Sequence, residues 1–372
     1  MRQYFTLEYG RKLDDFAVGE IYEHPWEVTV DSGMMALFAA SFLDATPVFA
    51  SRSVARHLGF RDRPASPWLL LNLALSFSVH DVSEQAIAHL SYLDVRFPEP
   101  AYAGDTLTAS SEVLDVKRSK SAQRGVVHVR TRLQTQDGSV ACVFERKALI
   151  RAGRLDTRPK TAESLRAPSD IPYPKQPSVL REPTTGSPIS TGFFGYFEDF
   201  EPGQVFVHAH GRTVGESEHM QLTTLVRNSH PLHFDSVYCE KESFTKRRIV
   251  YGGLVLSWVL SLASRDTTGH GLWPVGLDEG AHPNPTHGGD TLFALSRVLS
   301  TQAMGPHAGV VQFRVIGVKN EHPVTLLEKG ADLFTPEIQK TEGHRVEQKV
   351  VEITRAVLVE KRQACNGSHT IA

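Results

Sequence analysis

The segment Asn228-Ser229-His230-Pro231-Leu232-His233-Phe234-Asp235 gathers the side chains of this chain best suited to moving protons. Histidine exchanges its proton near neutral pH, so His233 is the leading candidate acid and base, acting alone or with His230. Asn228 can orient a water or the imidazole ring, but its amide takes no proton. Pro231 keeps the segment from continuing as an ordinary helix, which puts His230 and His233 on a turn facing a cleft. Further on, Tyr251-Gly252-Gly253 opens an apolar run. Glycines at a helix N-terminus let backbone N–H groups close on a carbonyl oxygen, with Gly253 the main candidate donor. Other readings of the same residues stay open. His230, His233 and Asp235 could gather around a metal ion. Gly252-Gly253 could serve close packing of the helix end, and Asp235 reads best as the cap of a helix beginning at Ser236. Arg227 and the run Lys246-Arg247-Arg248 flank the motif, either as partners for a carboxylate or phosphate or as a solvated face.

The elements that hold these residues come as two copies of one unit. Residues 14–49 slide onto 198–233 without a gap, aligning Asp15-Phe16 with Asp199-Phe200, Gly19 with Gly203, His24 with His208 and Pro47 with Pro231. Residues 97–114 fall on 282–299 in nearly the same register, which places His282 where the first copy has Phe97. A period this long means two whole domains. Where the second copy has His233 the first has Phe49, and Ser66-Pro67 stands near the Gly-Gly position. Chemistry is therefore expected in the second copy, with the first as its degenerate partner and His282 as a candidate pocket residue.

Composition sets outer limits. Forty basic against 42 acidic side chains leave a formal charge of −2, which offers nucleic acid or an anionic membrane no broad positive field. The three cysteines, Cys142, Cys239 and Cys365, have no paired spacing, which argues against a disulfide framework. The longest apolar stretch, Trp68 to Val79, is too short for a bilayer. A soluble cytoplasmic protein is expected, with no membrane and no nucleic acid as partners.

Within each copy a short strand (Trp26–Val30; Gly211–Val214) leads to a helix (Ser32–Leu43; Glu216–Arg227), then to a helix apolar nearly all round (Trp68–Leu75; Leu254–Leu262). Three alternating segments follow: Thr106–Val116, Val126–Gln136 and Ser139–Ile150 in the first, Thr291–Ser300, Gly309–Val318 and Lys349–Leu358 in the second. Helices followed by an antiparallel meander define an α+β class, a sheet wrapped around one apolar helix. The expected boundaries are a first domain at 11–152, a Pro-rich linker at 153–193, a second domain at 194–362 and a tail at 363–372.

With Asn228-to-Asp235, Tyr251-Gly252-Gly253-Leu254 and the turns Gly104-Asp105-Thr106-Leu107 and Gly289-Asp290-Thr291-Leu292, the chain resembles the MaoC-like hotdog hydratases over both halves, making a double hotdog. Gly211-Arg212-Thr213-Val214, Glu218-His219, Leu262-Ala263-Ser264-Arg265-Asp266-Thr267 and Asp278-Glu279-Gly280-Ala281-His282 are further similar to the mesaconyl-CoA hydratase (β-methylmalyl-CoA dehydratase) family. That resemblance implies a hydro-lyase acting on a CoA thioester, without cofactor or metal. It implies His233, Asn228 and His230 as catalytic residues, Gly253 and Gly252 at the thioester carbonyl, and Arg227, Tyr251, Arg248 and His282 against substrate. Two fused hotdogs should pair their sheets side by side, and the whole chain should form a homodimer. The usual motif of the wider family is Asp-x-Asn-Pro-Leu-His; here Asn228 and His230 replace its Asp and Asn, while the first copy keeps Asp44 but has Thr46 and Phe49. A hydratase for plain 3-hydroxyacyl-CoA chains, an acyl-CoA thioesterase and a non-catalytic acyl-CoA-binding protein are the competing expectations.

Overall fold

The computed structural model describes residues 4, 7–120, 123–155, 173–181 and 194–362. The first half runs β1 (Ile21–Thr29), α1 (Ser32–Phe42), α2 (Pro47–Ala50), α3 (Arg52–His57), α4 (Pro67–Phe77), β2 (Ala86–Arg96), β3 (Thr106–Arg118), β4 (Arg124–Thr135) and β5 (Val140–Arg151). The second runs β6 (Val205–Val207), β7 (Arg212–Thr213), α5 (Glu216–Leu225), α6 (Ser236–Glu242), α7 (Gly252–Thr267), β8 (Gly271–Ala281), β9 (Thr291–Met304), β10 (Ala308–Lys319), α8 (Pro323–Glu328) and β11 (Lys349–Glu360).

Local chemistry sets these elements. Asp31 caps α1 by accepting the Met34 N–H at 2.7 Å, and Pro67 opens α4 with its fixed φ at the first helical position. Every residue of α4 is buried, as expected of a helix with no polar face. β4 alternates buried and half-exposed positions along its length, so one face packs on the core.

The strands form one antiparallel sheet in the order β1-β3-β4-β5-β2-β8-β11-β10-β9-β6, with β7 also on β9. The sheet wraps α4 in the first half and α7 in the second, a double hotdog of α+β class. The halves meet where β2 pairs β8, Tyr92 opposite Gly280 and Val95 opposite Leu277. The two central helices lie side by side, and the buried Asn72 amide of α4 donates to Ser257 Oγ of α7 at 2.9 Å. A repeated pin holds each half: His24 bridges Asp81 and Ser111 at 2.9 and 2.8 Å, and His208 bridges Asp266 and Ser296 at 2.6 and 2.9 Å. Because both copies keep it, this His-Asp-Ser set ties strand to helix and marks no nucleophile.

Strands β2 and β8 were not legible as strands. Asp94 and Glu279 adopt positive φ, 44° and 49°, and the register slips beside both, which breaks the alternation. The second copy's first strand is interrupted between β6 and β7, and α5 is capped by Gly215 rather than by a side chain. Of the Pro-rich linker, residues 173–181 lie against the first half, with the Arg181 N–H donating to the Leu58 carbonyl at 2.9 Å. Residues 156–172 and 182–193 and the tail 363–372, with Cys365, lie outside the described residues; Cys142 and Cys239 are buried thiols. Among the described residues no helix is long and apolar enough to cross a membrane.

Candidate active site

A cavity of about 130 Å³ opens between the halves. The second half lines it with Asn228, His230, His233, Tyr251, Gly252 and His282, and the first with His89, Tyr92 and Arg146 above an apolar floor that includes Leu75 and Val79.

Pro231–His233 form a single 3₁₀ turn with proline at its first position. The Asn228 Oδ1 accepts the His230 N–H at 3.1 Å and holds the turn's entrance. His230 Nδ1 accepts the Leu232 N–H at 3.2 Å, so the neutral ring carries its proton on Nε2. His233 is set the other way. Its Nδ1–H donates to the Ile249 carbonyl at 2.8 Å, leaving Nε2 with a free lone pair. Burial, reinforced by the neighbouring His230, pushes His233 down to about 3. Burial and then Arg151 push His230 down to about 4. Both rings are neutral at neutral pH. The turn is braced from the other half, where Glu84 Oε2 accepts the Ser229 hydroxyl at 3.0 Å.

Tyr251 caps this side. Its ring centroid lies 5.4 Å from that of His233, and its hydroxyl is held near Ser76 and the Asn228 amide. Gly252 stands on the cavity wall, where an added Cβ would come 3.0 Å from His282 Nε2. Gly253 is one step behind the wall, and a Cβ there would overlap Asn72 Oδ1 and meet the Tyr251 ring at 2.8 Å. Close helix packing thus accounts for the second glycine, and the cavity for the first. Neither glycine's N–H forms a hydrogen bond among the described residues, as expected for the first turn of α7. His282 Nδ1–H donates to the Val350 carbonyl at 3.2 Å, and its Nε2 receives the Tyr92 hydroxyl at 3.1 Å.

The structure does not bring Arg227 or Arg248 to this wall. Arg227 is exposed on a left-handed backbone (φ 64°), and Arg248 pairs with Glu216 at 3.0 Å. The cation on the wall is Arg146 of β5, missed together with His89 and Tyr92 because all three come from the half without the histidine motif. One signal was available: Arg146 occupies the inward phase of β5, in step with Phe144, Ala148 and Ile150. Asp235 caps α6 by accepting the Tyr238 N–H at 2.9 Å, and among the described residues no His, Cys, Asp and Glu cluster is placed to hold a metal ion.

The corresponding place in the first half is filled with aromatic rings. Phe49 stands for His233 and packs 5.5 Å from Trp273. Pro67, which has no N–H, stands for Gly252. Trp68 stands for Gly253, edge-on to Phe97 at 5.9 Å, and its indole N–H donates to Asp44 Oδ2 at 2.6 Å.

The sequence profile described as mesaconyl-CoA hydratase matches residues 2–340. A mesaconyl-CoA hydratase of Cereibacter sphaeroides is 32% identical over 332 residues, 86% of this chain and 93% of that protein. A β-methylmalyl-CoA dehydratase of Chloroflexus aurantiacus is 30% identical over 318 residues, 84% of this chain and 89% of that protein. Among solved structures, a MaoC-domain dehydratase from Chloroflexus aurantiacus superposes with TM-score 0.79 at 27% identity, covering 95% of this chain and 98% of that one. A double-hotdog protein of Mycobacterium tuberculosis, at 20% identity and TM-score 0.72 over 94% of this chain and 98% of that one, supports the fold.

Proposed function

Because the chain belongs to the mesaconyl-CoA hydratase family, we propose that it is a hydro-lyase reversibly adding water across the C2=C3 bond of mesaconyl-CoA to give β-methylmalyl-CoA. The observation that carries this reading is the orientation of His233, whose Nδ1–H is tied to the Ile249 carbonyl while Nε2 keeps a lone pair beside the tip of α7.

The thioester carbonyl would sit at the N-terminus of α7, facing the N–H groups of Gly252 and Gly253. Such donors stabilise a developing enolate oxygen by roughly 3–4 kcal/mol each, and the helix dipole adds to them. His233 Nε2 takes a proton from water as the water oxygen bonds to C3, and the pair of electrons in C2=C3 moves onto the thioester as an enolate. The imidazolium then returns that proton to C2, so H and OH are added and the ring is regenerated. Burial keeps His233 neutral and ready to accept, and the enolate charge that grows in the same step offsets the imidazolium. His230 Nε2–H is the donor that would hold the water oxygen, while Asn228 orders the turn and meets Tyr251.

The test is loss of enoyl-thioester absorbance with mesaconyl-CoA, run beside crotonyl-CoA and a free-thiol assay. Faster turnover of mesaconyl-CoA with no thiol released supports the reading; preference for crotonyl-CoA or thiol release overturns it. A homodimer belongs to the same reading and is checked by sedimentation.

A further inference from the structure

We propose that Arg146, supplied by the half lacking the histidine motif, anchors the free carboxylate of a dicarboxylic enoyl-CoA and thereby sets the substrate class of the pocket. The proposal rests on the reading of the cavity as an acyl-CoA site. Arg146 is 4% exposed and stands on the cavity wall. Its Nη2 donates to Ser78 Oγ at 2.9 Å, while Nε is buried without a partner. Among the described residues it forms no ion pair with a carboxylate, and no Asp or Glu lines the cavity. A buried guanidinium without a counter-ion is strongly disfavoured unless a ligand supplies the charge. Burial lowers its pKa only to about 10, so it stays cationic at neutral pH.

The repeat supplies an internal control. Arg146 pairs across the sheet with Tyr92, and Arg355 of β11 pairs with Leu277, the repeat mate of Tyr92, so the two arginines are equivalent. Arg355 lies over the Trp68 ring at 5.2 Å, in the aromatic-filled half. Its Nε and Nη1 are likewise buried without a partner, so the contrast between the two arginines is the Asp44 carboxylate, which favours the charge of Arg355. The repeat mate of Asp44 is Asn228. In the half with open space, the carboxylate that accompanies the arginine has become a neutral amide. That exchange removes a negative charge that would repel an anion entering from outside and that would otherwise neutralise Arg146. The remaining wall groups nearby, the Tyr92 hydroxyl and the His282 and His89 rings, are neutral, and His89 Nε2 is also buried without a partner. Mesaconyl-CoA carries its free carboxylate on C3, the carbon that receives the hydroxyl. An arginine holding that group would fix C3 as well as select for it.

The test is calorimetric binding of two saturated CoA esters that cannot be hydrated, 2-methylsuccinyl-CoA and its monocarboxylic counterpart 2-methylbutyryl-CoA. Wild type should bind the diacid at least about 100-fold more tightly. Arg146→Gln should reduce that preference to near parity while changing 2-methylbutyryl-CoA affinity less than about threefold, and Arg146→Lys should keep part of it. Asn228→Asp, which leaves the arginine in place, should cut the preference at least about tenfold by restoring an internal counter-ion. No preference in wild type, or an equal loss for both esters in Arg146→Gln, overturns the proposal. A protein that prefers the diacid but does not turn over mesaconyl-CoA would overturn the hydratase reading and leave the anchor standing.

Discussion

Replacing His233 with glutamine should abolish activity and at the same time make the fold more resistant to acid. Burial holds the native imidazole at about 3, whereas in the unfolded chain it returns to an ordinary value of roughly 6.5. Between those values the unfolded state binds the extra proton. This residue's contribution to stability is therefore complete above about pH 6.5 and is lost as the pH falls toward 3. At about pH 5, one and a half units below the unfolded value, the loss is roughly 2 kcal/mol relative to neutral pH. That figure hardly depends on the native value, which lies well below the assay window. Glutamine does not titrate, and its amide N–H can replace the Nδ1–H bond to the Ile249 carbonyl. Urea unfolding followed by circular dichroism at about pH 7 and about pH 5, for both proteins, isolates the residue from every other group that titrates. Wild type should lose about 2 kcal/mol more than the variant over that interval, while the variant's turnover should fall at least about 100-fold. Equal losses would mean that the ring is not kept neutral by its surroundings. Retained turnover would remove His233 from the chemistry.

Asp44→Asn should leave turnover within about twofold but lower stability by about 1–3 kcal/mol, read as a shift in urea midpoint, because it takes the charge from a carboxylate bonded to Trp68 Nε1 and Thr46 and neighbouring buried Arg355. The two glycines of α7 should separate. Gly252→Ala presses on His282 at the cavity wall and should reduce kcat/KM about tenfold with little change in melting temperature. Gly253→Ala drives a methyl into Asn72 and should show first as a loss of about 1–3 kcal/mol in unfolding free energy.

His233 was legible because two independent features met there: a proline-limited turn, and a repeat in which one copy holds histidine and the other phenylalanine. The three long strands after each central helix were legible because alternation on a half-buried sheet survives in the sequence. The seam between the halves was not. Its strands carry Pro274, Gly276 and positive-φ residues at Asp94 and Glu279, which erase period two. Without β2 and β8 nothing in the chain says that β5 of one half faces the histidine turn of the other. The nearest arginines in sequence, Arg227 and Arg248, therefore stood in for the one that reaches the wall. Distance along the chain is a poor guide to a pocket built across a pseudo-twofold seam.

That seam also explains why one helix tip opens on a cavity and its mate does not. Each central helix begins facing the other half's last strand, β5 or β11, so both helix tips start with an equivalent arginine. In the first half, Pro67 removes a backbone donor and Trp68 and Phe97 close the space, so Arg355 is enclosed by protein, with the Asp44 carboxylate favouring its charge. In the second, Gly252 leaves the tip open and Asn228 leaves Arg146 without a counter-ion. The first half is thus a wall of the open cavity as well as a scaffold for it: it supplies Arg146, Tyr92 and the Glu84 brace on the histidine turn. Cutting the chain between the halves would strip His233 of the groups that enclose it and expose the buried seam between α4 and α7.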